Sequence, residues 1–166
     1  MIKEQIQKLE NIVDKEIDGY KNIEKLYADK KEMLIHGKVN DLFNIDAKIT
    51  DTYKNINDCS EARKQMARNM EVQGFSLTDI INKIKTQDAE AAKKFEEKKA
   101  EVNVLAQNIF KLEKVNLELL KHGIHVTGKT MEIILKSVKP VTEEYNQKGK
   151  NITKNQLEMS SIVEEA

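Results

Sequence analysis

Four residues in this chain have side chains suited to nucleophilic or metal chemistry: His36, Cys59, His122 and His125. A nucleophile pair needs a thiol and an imidazole held within hydrogen-bond reach and oriented by a third group. All four fall in stretches with helical periodicity, and none has an activating constellation nearby. His122 and His125, three apart, can share one side of a helix. A helical metal site, however, wants histidines four apart or Glu-x-x-His pairs, and none of the three histidines has a Glu three residues before it. His36 fits better as a helix-terminal residue whose charge suits the negative end of the helix dipole. The six glycines are isolated and none lies between a strand and a helix, so no phosphate-cradling loop is present. The carboxylates alternate with lysines as helix-surface charges do. Neither a catalytic site nor a metal or other cofactor is expected, and the chain is not expected to be an enzyme.

Composition narrows the class. Charged residues make up 34% of the chain and aromatic residues 5%, with one Pro, six Gly and no Trp among 166 residues. So few turn formers beside so many charged and aliphatic residues suit long helices. The 28 basic residues balance 28 acidic ones, and no run supplies the basic surplus of a nucleic-acid-binding face. One cysteine excludes an intramolecular disulfide. The segment Met1-Ile2-Lys3-Glu4-Gln5 has no apolar signal core and no apolar run reaches membrane-spanning length. The expected location is the cytoplasm, without membrane insertion.

The element around which the chain is organised is Asp88 to Val138, expected to be one long helix. Its core-facing candidates are Phe95, Val102, Leu105, Ile109, Leu112, Asn116, Leu119 and Val126, on steps of three, four and seven residues. At about 1.5 Å per residue such a helix runs roughly 75 Å and cannot cover its own stripe. A first helix carries Ile6, Leu9, Val13, Tyr20, Ile23, Tyr27 and Leu34, flanked by Ile2, Ile12, Ile17, Leu26 and Met33, with Glu16 and Lys30 interrupting the seam. It ends at His36-Gly37, and the short connection predicts an antiparallel hairpin. The second helix starts near Asn40 or Asp41 and carries Leu42, Ile45, Ile49, Ile56, Cys59, Met66 and Met70, with Phe43 and Tyr53 beside them. Arg63 lies on its seam, free to snorkel or to pair with an acid of the first helix. Gly74 is expected to end it. Ser76 and Asp79 then form a capping box, with Phe75 stapled on Ile80, and a short helix bearing Leu77, Ile80, Ile81 and Ile84 follows. A bend near Thr86 separates it from the long helix.

The long helix is weakest at Gly123 and Gly128. Met131, Ile134, Leu135 and Val138 then rebuild an apolar face before Pro140 ends it. The resulting expectation is an all-α fold: an elongated antiparallel helical bundle, or coiled coil, of three main helices plus a short one over residues 1–138. Residues 139–166 would form an amphipathic, partly disordered C-terminal tail, in which Ile152, Met159 and Val163 share a weak helical face.

The order of these elements, with "IHGKVNDL" at Ile35 to Leu42, "EARKQMARNM" at Glu61 to Met70, "GFSLTDII" at Gly74 to Ile81 and "KLEKVNLELLKHGI" at Lys111 to Ile124, resembles the FlgN-type flagellar export chaperones. The Asn116, Leu119 and Leu120 grouping carries the resemblance furthest, and the match covers about residues 5 to 150. The resemblance implies a cytoplasmic chaperone that binds hook-associated (junction) subunits, prevents their early assembly and delivers them to the flagellar type III export gate. It implies that the C-terminal amphipathic region binds cargo, with Met131, Ile134, Leu135 and Val138 gripping a cargo helix and Ile152 and Leu157 joining them. It also implies a gate-docking tyrosine after the long helix, for which Tyr145 is the candidate. The expected partners are therefore junction proteins and an export-gate membrane protein, and the expected free state is a monomer or weak dimer. The alternative for the same stripes is a self-associating coiled-coil scaffold.

Overall fold

The computed structural model describes residues 2–138, 144–145 and 151–152. The fold is all-α. Helix α1 spans Ile2–Ile35, α2 Leu42–Asn69, α3 Leu77–Lys85 and α4 Ala89–Val138, with a 3₁₀ turn at Val39–Asp41. Two two-residue strands, β1 at Glu144–Tyr145 and β2 at Asn151–Ile152, pair antiparallel. The chain divides into two compact units, Met1–Gly123 and Ile124–Ala166.

In the first unit, polar side-chain pairs fix the direction of each helix. Moving up α1, Glu16 meets Arg63, Asn22 meets Thr52 and Lys30 meets Asp46, so α2 runs antiparallel. Lys98 pairs with Glu10 and Asp14, Lys21 with Glu101, and Asn108 donates to Glu24 at 2.8 Å, so α4 runs parallel to α1. The bundle is thus up, down and up, with α3 bonded to α4 through Lys99 and Thr78.

The helices bury two apolar clusters. Ile6, Leu9, Val13 and Ile17 pack with Ala67, Met70, Ile80, Ile81, Ile84, Ala92, Phe95 and Leu105. Further up α1, Ile23, Leu26 and Tyr27 pack with Ile45, Ile49, Ile56 and Ile109. Each fully buried aliphatic side chain, such as Leu9 or Ile23, contributes roughly 1.5–3 kcal/mol relative to an exposed one. Ile17 and Leu26 belong to these clusters rather than to the flanks of the stripe. The Ile56 side chain packs directly on the α1 backbone at Gly19: a Cβ there would lie 2.5 Å from Ile56 Cγ1, so a larger residue would force Ile56 to shift.

The helix ends satisfy their own carbonyls. After α1, Lys38 N–H donates to the Met33 carbonyl at 2.9 Å and Gly37 N–H to that of Leu34, with Gly37 at φ +66°. This is the Schellman closure, and it makes the hairpin turn. The expected end of α2 at Gly74 is corrected by the structure. The helix stops at Asn69, because Glu71 adopts φ +54° and Val72 N–H closes on the Ala67 carbonyl at 3.0 Å. The capping box forms as expected, with Ser76 Oγ accepting from Asp79 N–H and Asp79 Oδ2 accepting from Ser76 N–H. Phe75, expected to pack on Ile80, stays largely on the surface, where its ring takes the Arg68 guanidinium 5.0 Å from its centroid. The chain breaks at Thr86-Gln87-Asp88, so residues 77–138 are two helices, and Asp88 caps α4 by accepting from Ala91 N–H at 2.9 Å.

Other apolar positions are settled only by the fold. Of the stripe residues, Val126 is exposed and Cys59 is only part-buried, and Phe43, expected beside the stripe, is 88% exposed. The exact helical phase, which three- and four-residue steps leave open by a residue or so, decides these positions.

The buried polar groups are paired across helices. Arg63 Nε donates to Glu16 Oε2 at 2.9 Å, and Arg63 Nη1 donates to the Phe75 carbonyl at 3.1 Å. Asn116, 2% exposed, donates from Nδ2 to the Tyr27 carbonyl at 2.9 Å, while its Oδ1 has no partner among the described residues. Truncating Arg63 strands a buried carboxylate, so Arg63→Ala should lower stability by about 3 kcal/mol. Arg63→Met combined with Glu16→Leu should recover most of that loss. Urea unfolding of the three chains checks both figures.

Candidate cargo-binding face

In the second unit the last turns of α4 carry the sequence-predicted site. Met131 is 52% exposed and Ile134 49%, and Leu135 beside them is part-buried. Steps of three and four residues put these three on one side of the helix. Val138 is the final residue of α4, and its side chain lies outside the described residues. Tyr145 and Ile152 are placed by backbone only: Tyr145 pairs with Asn151 and Glu144 with Ile152 in the two-strand ladder. Leu157, and nearly all of the tail expected from residue 139 onward, lie outside the described residues.

Two exposed residues join this picture unforeseen. Ile124, 72% exposed, stands seven residues before Met131 and so extends the same side. Its seven-residue step was legible, but a β-branched residue beside Gly123 suggests a weak helix more readily than a surface. Ile133, 68% exposed, lies on the opposite side of the helix. The helix itself passes through Gly123 and Gly128 without a break, and a Cβ at either position would meet nothing within 4 Å. These glycines therefore soften the helix without serving any close contact.

The polar surroundings are ordinary. Lys136 Nζ donates to Glu132 Oε1 at 2.5 Å, one turn apart, and this bond followed by the lysine charge holds the Glu132 carboxyl below its usual range. Thr130 and Ser137 turn their hydroxyls back to the carbonyls of Val126 and Ile134. Their hydroxyl protons are thereby used within the helix. In the first unit, α4 also exposes Phe110 and Leu117, seven residues apart.

His122 and His125 are both exposed, and among the described residues no group of three or more His, Cys, Asp or Glu side chains is placed to hold a metal. Nor is any described helix long and apolar enough to cross a membrane. Among the described residues the chain is an all-α bundle, and α4 exposes Met131 and Ile134 in its last turns. The model of the FlgN protein family matches residues 1–153, and the chain belongs to that family of flagellar export chaperones. No curated protein and no solved structure matches the chain.

Because Met131 and Ile134 face outward, Met131→Ser with Ile134→Ser should change unfolding stability by no more than about 0.5 kcal/mol. Ile23→Ala, in the core, should cost about 3 kcal/mol. Denaturant titration of the two variants makes the comparison.

Proposed function

We propose that the chain acts in the cytoplasm as the chaperone of flagellar hook-associated, or junction, subunits. In this reading it binds them through the apolar side of α4, keeps them from assembling early and hands them to the type III export gate. The observation that carries the reading is the exposure of Met131 and Ile134 at the end of a helix whose earlier turns are buried, in a chain of this family. An amphipathic cargo helix laid along Met131, Ile134, Leu135 and Val138 would bury on both partners surface that water otherwise covers. Ile152 and Leu157, from the amphipathic tail over residues 139–166, would close over the cargo. The surface so covered is the surface the subunit uses to polymerise. Tyr145 would dock on the export-gate membrane protein, beyond the cargo-binding turns. The chaperone alone would be a monomer or weak dimer, and its action needs neither cofactor nor catalysis.

Phe110 and Leu117, exposed at a heptad interval, favour a second reading in which the chain self-associates as a coiled-coil scaffold. Sedimentation separates the two. A stable homodimer indifferent to cargo supports the scaffold, and a monomer that gains mass only with cargo supports the chaperone.

Removing residues 130–166 should leave the bundle folded and abolish cargo binding. Calorimetry with purified junction protein measures this, and unchanged affinity of the shortened chain rules out the site. Tyr145→Ala should keep cargo affinity and lose export. Normal secretion and motility in that mutant would remove Tyr145 from gate docking.

A further inference from the structure

Within the first unit, the outer side of α4 over residues 110–121 carries a patterned strip. Phe110 and Leu117, seven residues apart, are 67% and 50% exposed, and Leu120 beside them is part-buried. Lys114 and Lys121 each follow one of the exposed pair by four residues, so a row of lysines runs alongside the apolar row. The lysines lie on the side away from Glu113. That carboxylate sits near the Tyr27 hydroxyl, whose pKa is pushed up by burial, by a hydrogen bond with Tyr53 and by neighbouring charges, Glu113 among them. The ion pairs that α4 makes among the described residues use Lys98, Glu101 and the Glu132–Lys136 pair, which leaves Lys114 and Lys121 without one.

A second copy of this chain does not complement the strip. Parallel pairing sets Lys114 and Lys121 against Ile109 and Asn116 of the other copy, which are buried in that copy's own bundle. Antiparallel pairing sets Lys114 against Lys121, like charge on like. We propose that the strip docks an amphipathic helix of another protein, with apolar residues on a three-four stripe and Asp or Glu along the flank that meets Lys114 and Lys121. The apolar contacts supply the burial, and the carboxylates supply register and selectivity. This surface uses neither Met131 nor Ile134, and the proposal does not depend on the cargo-binding reading.

Two synthetic three-heptad peptides serve as probes, both with leucine on the seam, one with glutamate and the other with lysine on its flanks. Fluorescence anisotropy with the full chain at neutral pH should show the acidic peptide bound roughly tenfold more tightly than the basic one, and released by salt. Equal affinity for the two peptides, or binding of neither, would overturn the proposal. Phe110→Ser with Leu117→Ser should remove binding, and its survival in that variant refutes the strip as the site. Lys114→Glu with Lys121→Glu leaves the apolar row intact and should turn the preference towards the basic peptide; an unchanged preference rules out the charge pairing. Met131→Ser with Ile134→Ser should bind the acidic peptide as the wild type does. Loss of binding there would sink the proposal by moving the peptide to the last turns of α4. Sedimentation of the chain alone completes the test, because a dimer abolished by Phe110→Ser with Leu117→Ser would make the occupant a second copy and overturn the assignment to another protein.

Discussion

The bond between Arg63 and Glu16 is the constraint on which the bundle depends. The guanidinium reaches Glu16 on α1 through Nε and the Phe75 carbonyl through Nη1, so one side chain of α2 ties α1 to the connection before α3. Both groups of the pair are largely withdrawn from water, with side chains 13% and 9% exposed. Removing either alone leaves an uncompensated charge, whereas together they contribute modestly to stability. Their larger effect is on specificity. Apolar stripes on α1 and α2 could slide by a turn with little loss, but a carboxylate and a guanidinium at fixed levels allow one antiparallel register.

Asn116 does the corresponding work between α1 and α4. Its amide donates to the Tyr27 carbonyl, and Oδ1, which has no partner among the described residues, costs about 1–3 kcal/mol relative to a satisfied group. An apolar residue there would pack without that cost, but it would also fit a neighbouring level. Polar residues at two buried levels thus define the register of the three long helices.

The long helix joins two regimes on one backbone. Up to Asn116 its stripe is covered, with Phe95, Leu105, Ile109 and Asn116 buried and Val102 and Leu112 part-buried. At Ile124, Met131 and Ile134 apolar side chains face water at an energetic disadvantage, which a binding partner would relieve. Folding stability and binding therefore draw on different residues, and substitutions at the binding turns need not disturb the bundle.

Composition and three-four periodicity were enough to specify an all-α chain, its hairpin, its capping box and the end of α4 at Val138, because these depend on local backbone chemistry. The Arg63 pairing with an acid of α1 was legible too, since a charge on an apolar seam requires a partner. Tertiary structure alone decided the rest. It ended α2 at Asn69 through a left-handed Glu71, exposed Phe43 and Val126, drew Ile17 and Leu26 into the core, and showed Ile124 on the outer surface. Helical periodicity leaves the phase of a stripe open by about a residue, and only contacts between distant helices remove that freedom.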